Sequence, residues 1–389
     1  MEELATMTME LRFFNKRQND LVHSLVGVRA GWRHENIGER GIAHFLEHAI
    51  VLGNEKVSPE IVSSKFGVQV SAMSNPESTL FWYTSLKKDF AEIFKLLLSM
   101  VFHPSFNNDA ILKEKRAKIA PAIVHEADFT DWELGFEWAM NLIFDWNFLQ
   151  SLGTEEDVNS LNENTLKCWH RRFFGSPNCF ALLSGDINQN EVCEIIEDAD
   201  VPKKVETPNP SEYHWNRKEV LIERRQSQNT EVVYGFKLPH YEAGYEILNV
   251  LLGRHPSGRL WQNSFTELAF TVTTKLEWTN TSGALLINLG SSSYGNLDEI
   301  DQRLWRLLTD FDVTDAQVEA AKKAVMLKML QTEEEGLGRL LDFVKHPTNF
   351  KYKNMLTEIE RVDRVQIKTL AETILIRQNA VRVAVGRLR

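Results

Sequence analysis

The feature that most restricts the fold of this 389-residue chain is an internal repetition of its predicted elements. A strand is predicted at 21–32, a helical stretch at 38–52, and two strands joined by a turn at Asn75–Pro76. The buried strand CFALLSGDI closes this series, and the same order then returns and ends on AVRVAVGRL. Repetition on this scale predicts two similar halves, each with its own core.

We therefore predict an α+β fold of two similar α/β halves, each an antiparallel-rich sheet covered by helices. The halves span residues 1–200 and 215–389, with a linker at 201–214, where VPKKVETPNPSE combines three prolines with several charges. A long helical stretch is expected from Asn108 to beyond Glu126, and three helical stretches within 295–376.

Composition narrows the class of protein. A formal net charge of −10 argues against a nucleic-acid-binding surface, which would need a basic patch. The three cysteines lack metal-type spacing, which indicates reduced thiols in a cytoplasmic protein. The N-terminal segment does not read as a secretory signal, and no apolar run reaches the roughly 20 residues of a membrane-spanning helix.

The pentapeptide HFLEH places His44, Glu47 and His48 within the predicted helix at 38–52. Residues four apart lie on one helix face about 5 to 6 Å apart, which suits two histidine ligands of one Zn²⁺. Glu47 emerges near that face, where it could deprotonate a metal-bound water. A catalytic zinc needs a third protein ligand. By itself the motif also fits a surface helix that carries two histidines by chance.

The surroundings of the motif decide between these interpretations. The stretches VRAGWRHENIGERGIAHFLEHAIVLGN, GVQVSAMSNPEST, SLGTEEDVNSL and LPHYEAGYEILNVLLG resemble the pitrilysin and mitochondrial processing peptidase family of inverzincin zinc peptidases. The resemblance runs from about residue 10 to the C-terminus. It implies a zinc peptidase that forms half of a clam-shell chamber.

The resemblance also assigns the metal centre. It implies one Zn²⁺ per chain bound by His44, His48 and Glu126, with Glu47 as general base. Glu126 is the last residue of IVHE, which fits the family's pattern for its third ligand. Ile119 departs from the family, which often has a further glutamate seven residues before that ligand.

Substrate binding is implied for the strand-turn-strand element that follows. In the family an edge strand here pairs with the extended substrate, which corresponds to Ser71, Ala72 and Met73. Glu77 matches a family position in the same element, and we expect it to support the metal ligands without binding the metal. The alternative for these residues is ordinary packing.

Two residues of the second half depart from active members of the family. Those members carry an arginine and a tyrosine that face the zinc helix, whereas SGRLWQNSFTELAFTVTT has Phe265 and Phe270 at these places. Phenylalanine can neither pair with a carboxylate nor donate a hydrogen bond. Either the chain is a weak enzyme, or it is the zinc-bearing subunit of a heterodimer whose homologous, zinc-free partner supplies the pair. We favour the heterodimer.

These expectations describe a cytoplasmic zinc metalloendopeptidase subunit that cleaves peptides inside a chamber. Two-subunit bacterial members of the family process peptide precursors such as subtilosin-type bacteriocins, which suggests leader-peptide or precursor-peptide processing. The alternative is a non-catalytic or weakly active scaffold subunit with the same fold. In that case we would expect the zinc ligands to have been lost.

Overall fold

The computed structural model describes residues 2–5, 9–15, 20–54, 57–123, 128–147, 151–209, 214–255, 257–262, 271–291, 297–345 and 352–388. The chain forms two compact units. The first comprises Met1–Val124, Leu149–Ser211 and Glu335–Leu341, and the second comprises His125–Phe148, Glu212–Glu334 and Asp342–Arg389.

Eleven strands are described, and they form two sheets. In chain order they are β1 (Glu2–Ala5), β2 (Glu10–Asn15), β3 (Leu21–Val28), β4 (Ser71–Ser74), β5 (Thr79–Leu86), β6 (Cys179–Gly185), β7 (Glu219–Glu223), β8 (Thr230–Leu238), β9 (Thr271–Trp278), β10 (Gly283–Ser291) and β11 (Val381–Gly386).

Fifteen α-helices are described. They are α1 (Ile42–Val51), α2 (Pro59–Phe66), α3 (Phe90–Phe102), α4 (Asn108–Glu114), α5 (Asp131–Phe144), α6 (Glu155–Ser160), α7 (Glu163–Phe173), α8 (Gln189–Asp198), α9 (Ala243–Asn249), α10 (Arg259–Gln262), α11 (Leu297–Thr309), α12 (Asp315–Glu334), α13 (Leu337–Lys345), α14 (Tyr352–Arg361) and α15 (Arg364–Ile374). None of these described helices is long and apolar enough to cross a membrane.

The two sheets share one topology, which confirms the predicted α+β fold of two similar units. The first has the order β1-β2-β6-β3-β5-β4, and the second has the order β7-β11-β8-β10-β9. Five strands of each sheet correspond. In both sheets one pair of these strands is parallel, β2 with β6 in the first and β7 with β11 in the second, and the other neighbouring pairs are antiparallel. The correspondence matches β2 with β7, β3 with β8 and β4 with β9, and the first sheet has β1 in addition.

The central strands are buried along nearly their whole length. All seven residues of β6 are buried, and in β3 only Leu21 is exposed. Such continuous burial arises when both faces of a sheet are covered. Each fully buried leucine, valine or phenylalanine contributes roughly 1.5–3 kcal/mol to the free energy of folding. These strands therefore supply much of the hydrophobic core of the first unit.

Chain segments exchange between the units. Helix α5 precedes residue 200 but belongs to the second unit. A Cβ atom built on its Gly135 would lie 3.1 Å from the side chain of Val233 in β8, so the helix packs closely on that strand. In the opposite direction, Glu335–Leu341 belongs to the first unit. There the guanidinium of Arg339 lies 4.5 Å from the centre of the Phe14 ring.

Two predictions about helices are wrong in detail. The helix expected from Asn108 to beyond Glu126 ends at Glu114 and continues as a π-helical turn (Lys115–Ile119) and a 3₁₀ turn (Ala120–Ala122). Pro121 lies in the last of these turns, where its missing amide hydrogen prevents a regular α-helix from continuing past it. Residues 297–374 hold five described helices rather than three, and Gly336, at φ +62°, separates α12 from α13.

The first part of the proline-rich segment is attached to the first unit. Residues 201–209 have no helix or strand. The Ser176 N–H donates to the Pro202 carbonyl at 2.8 Å, and the Glu206 N–H donates to the Arg172 carbonyl at 2.7 Å. The division into a zinc-binding half at 1–200 and a second half at 215–389 remains a prediction.

Candidate metal centre

Helix α1, which carries the HFLEH motif, begins at a buried carboxylate. Its N-cap residue is Gly41, at φ +81°, which has no side chain to cap the helix. Instead Glu35 accepts hydrogen bonds from the Gly41 N–H at 2.8 Å and from the Ala43 N–H at 2.9 Å. A negative group is favourable at a helix N-terminus. Burial raises the pKa of Glu35 well above its ordinary value, against the effect of these bonds.

The segment before α1 docks on the turn between β4 and β5. The Arg33 N–H donates to the Pro76 carbonyl at 3.0 Å, and the Arg33 guanidinium donates to Glu77 at 2.8 Å. A Cβ on Gly31 would lie 2.0 Å from the Asn75 carbonyl oxygen, so only glycine allows this approach. Glu77 thus holds the turn against the segment that leads to the motif.

The two histidines face each other on α1. Their ring centroids are 4.8 Å apart and the rings are nearly perpendicular, at 83°. Burial, and then the neighbouring His48, lower the pKa of His44 to about 4. A neutral imidazole is the form that binds a metal. The Nδ1 atom of His44 is buried, and within the described residues it has no hydrogen-bond partner.

A carboxylate orients the second histidine. The Nδ1 atom of His48 lies 2.8 Å from Oε1 of Glu114, at the end of α4. Histidines that bind metals usually donate their other ring nitrogen to such a group, which fixes the tautomer and leaves Nε2 for the metal. The sequence did not indicate Glu114, because the family pattern expects a glutamate seven residues before Glu126, and that residue is Ile119. The π-helical and 3₁₀ turns that follow Glu114 interrupt the regular α-helical spacing that this pattern assumes.

Glu47 is placed beside the edge strand. Burial raises the pKa of its carboxyl above the ordinary value, while the neighbouring His48 and hydrogen bonds from the hydroxyl and the backbone N–H of Ser74 lower it. A raised pKa is typical of a carboxyl that exchanges protons during a reaction. A divalent cation beside it would favour the ionised form.

The predicted substrate strand is the outermost strand of its sheet. Among the described strands β4 pairs only with β5, and Met73 is 44% exposed. Ser71 and Ala72 are half-buried, and Ala72 packs partly against the core. An edge strand presents unpaired backbone groups to which another strand can add.

The residues present fit a zinc site as far as they are described. Two neighbouring imidazoles, one with an orphaned buried nitrogen and one oriented by a carboxylate, are the donor set that zinc prefers. No group of three potential ligands occurs among the described residues. The expected third ligand, Glu126, lies outside them, as do Phe265 and Phe270.

Comparison with known proteins agrees with this geometry. Residues 13–128 match the family described as "Insulinase (Peptidase family M16)", and residues 160–325 match "Peptidase M16 inactive domain". An "Uncharacterized zinc protease YmxG" of Bacillus subtilis is 24% identical over 90% of this chain and 89% of its own length. The beta subunit of the mitochondrial-processing peptidase of Bos taurus is 22% identical over 44% of this chain and 35% of its own.

Among solved structures, a protease from Helicobacter pylori is similar throughout. It superposes with a TM-score of 0.83 at 16% identity and covers 98% of both chains. At that identity the likeness concerns the fold, and it extends over both units.

Proposed function

Because the chain belongs to the insulinase family of peptidases, M16, we propose that it is a zinc metalloendopeptidase subunit. The observation that carries the proposal is the HFLEH helix, with facing imidazoles, Glu114 on His48 and a partly desolvated Glu47 between them and the edge strand. If the two histidines stood on a surface helix by chance, there would be no reason for a carboxylate of another helix to orient one of them.

His44, His48 and Glu126 would hold the zinc ion. When bound, zinc supplies Lewis acidity towards the scissile carbonyl and lowers the pKa of a water molecule towards about 7. Glu114 keeps the His48 ring in the orientation that exposes Nε2. Glu35 fixes the start of the helix on which both imidazoles are mounted.

Glu47 would move the proton. Its carboxylate takes a proton from the attacking water and delivers it to the leaving amine, and its raised pKa eases the second transfer. Hydrogen bonds from Ser74 hold the carboxyl in place at the end of β4.

The substrate would bind as an added strand along β4. Ser71, Ala72 and Met73 would offer backbone hydrogen bonds to an extended peptide, which tolerates many side chains. Glu47 would then lie at the end of the same strand that positions the peptide, so binding and proton transfer would share one element.

The substitutions Phe265 and Phe270 support a heterodimer. A homologous, zinc-free partner would supply an arginine and a tyrosine and would close the chamber around the peptide. Processing of leader or precursor peptides in the cytoplasm fits such an enclosed site, because a folded protein could not enter it.

The test is the Glu47→Gln variant, assayed with the partner present on unfolded peptides. We expect activity to fall about 10²–10⁴-fold, because the variant has no general base, while its zinc content stays equal to that of the wild type. Glu92→Gln, which alters an exposed carboxylate paired with Lys65, is the control and should retain activity.

Two outcomes would favour the non-catalytic scaffold instead. One is a Glu47→Gln variant that cleaves as fast as the wild type. The other is a wild-type chain whose zinc content is no higher than that of His44→Ala.

A further inference from the structure

The second unit contains a cavity of about 260 Å³ against its own edge strand. One wall comes from α9 and the π-helical turn Val250–Arg254, and another from residues 274–278 of β9. Helix α12 and residues of α13 and α14 complete the lining. All of these residues belong to the second unit.

The repeated topology makes this cavity the counterpart of the candidate metal centre. In the first unit the helix after β3, α1, packs against the edge strand β4, and in the second unit the helix after β8, α9, packs against the edge strand β9. However, α9 carries no histidine or cysteine. The counterpart site is therefore suited to a different kind of ligand.

Two lysines of the lining have side chains without a partner among the described residues. Lys328 and Lys345 are exposed, and neither side-chain ammonium group forms an ion pair or hydrogen bond within the described ranges. The other charged side chains of the lining are Arg254, Glu246, Lys275, Glu277 and Asp342. Of these, the first two pair at 3.4 Å and the next two at 2.5 Å. Asp342 is the remaining acid, so the four cations of the lining exceed its three carboxylates and the cavity favours an anionic ligand.

The side-chain amide of Asn249, in the same wall, also lacks partners among the described residues. Asn249 is fully buried, and neither its side-chain oxygen nor its nitrogen has a hydrogen-bond partner in the part of the chain that is described. The same is true of the indole nitrogen of Trp278. Such groups are rare in native proteins, since each costs roughly 1–3 kcal/mol. Both residues line the cavity, so a polar occupant that displaces the side chains covering these atoms would supply the missing partners.

We propose that this cavity binds the carboxyl-terminal residue of a peptide. The carboxylate pairs with Lys328 and Lys345, the amide of the same residue meets the donor and acceptor of Asn249, and the side chain packs on Val325 and Met329. The volume is slightly below the range of small-molecule pockets, which starts at about 300 Å³. It suits one or two residues.

The experiment is calorimetric titration of the zinc-free full chain with N-acetyl-L-leucine and with N-acetyl-L-leucinamide. We expect saturable binding of the acid, and about tenfold weaker binding of the amide, which lacks the charge. Lys328→Gln and Lys345→Gln should each weaken binding of the acid about tenfold. Lys323→Gln, which removes an exposed lysine of the same helix outside the cavity, should leave it unchanged.

The variant Asn249→Leu tests the contribution of the Asn249 side chain separately. Because it removes an unsatisfied buried group, it should raise Tm, and because it removes the hydrogen-bonding partner, it should weaken binding of the acid. If Asn249→Leu does not fold, the lysine variants still decide the matter.

Three results would overturn the proposal: no saturable heat, equal binding of acid and amide, or a loss in Lys323→Gln as large as in the cavity variants. None requires zinc or peptidase activity, so failure here would leave the proposed peptidase function unaffected. Conversely, Glu47→Gln should bind the acid as the wild type does.

Discussion

At the scale of single residues, the contact between Glu114 and His48 shows what a linear motif contains and what it omits. The HFLEH spacing predicts two histidines on one helix face, and their rings do face each other. The residue that orients one of them comes from a helix 66 positions later in the chain. No spacing rule reaches across that distance, since two α-helices and two strands lie between His48 and α4.

Glu114→Gln should weaken zinc binding about 10–100-fold, because the amide cannot support the histidine as a carboxylate does. Competition with a chelator would measure this effect. Glu92→Gln is the matched control and should bind zinc as the wild type does. Equal zinc affinity in Glu114→Gln would show that the 2.8 Å contact does not support the metal.

The half-buried carboxyl of Glu137 makes the free energy of unfolding depend on pH. Burial raises the pKa of Glu137 on α5 to about 7; Lys275 opposes this shift, whereas Glu277 and Glu133 add to it. In the unfolded chain the group titrates near 4.5, so the folded state loses stability as pH rises from about 4.5 to 7. Glu137→Gln should therefore be about 2–3 kcal/mol more stable than the wild type at pH 8 and little different at pH 4.5.

Urea unfolding at the two pH values would measure the difference. Glu194→Gln, at an exposed position of α8 in the first unit, is the control and should match the wild type at both pH values. A Glu137→Gln variant with the same advantage at both pH values would argue against a titration effect.

At the scale of elements, α1 illustrates how sequence and tertiary structure share control. The sequence predicts the helix and its entry through Gly41, and the helix does begin at Ile42. Its cap is not predictable from local rules, because those rules look for a side chain at the N-cap position. The capping carboxylate belongs to Glu35, six residues before Gly41. The loop that carries Glu35 is held by the β4–β5 turn.

Glu35→Ala should destabilise the protein by roughly 1–3 kcal/mol, since two buried N–H groups lose their acceptor. Thermal or urea unfolding of the zinc-free chain would measure this loss. Glu194→Ala, at an exposed position of α8, should change stability by no more than about 0.5 kcal/mol. An equally small effect in Glu35→Ala would mean that the gain from capping is cancelled by the burial of the carboxyl.

At the scale of the whole molecule, the repeated order of elements predicted two similar sheets, and the shared topology confirms it. The periodic pattern could not reveal that α5 and the segment Glu335–Leu341 change sides. Local periodicity reports which face of an element is buried but not which sheet covers it.

The chain purified alone should lack peptidase activity, and activity should appear when a homologous, zinc-free partner is added. Affinity purification of the tagged chain from its own cells should recover such a partner in one-to-one amount. If the chain is recovered only with itself and cleaves peptides alone, the heterodimer is wrong and Phe265 and Phe270 do not mark a shared active site.

The segment Glu335–Leu341 also sets the order in which the chain can mature during translation. Proteins tend to fold domain by domain, N-terminal first, as the ribosome releases them. Here the first unit remains without one of its segments until the ribosome has translated Glu335–Leu341, which follows most of the second unit in the sequence. Until then Phe14 lacks the guanidinium of Arg339 that stacks on it. The nascent first unit therefore depends on the ribosome finishing much of the second, and chaperones have a long interval in which to engage it.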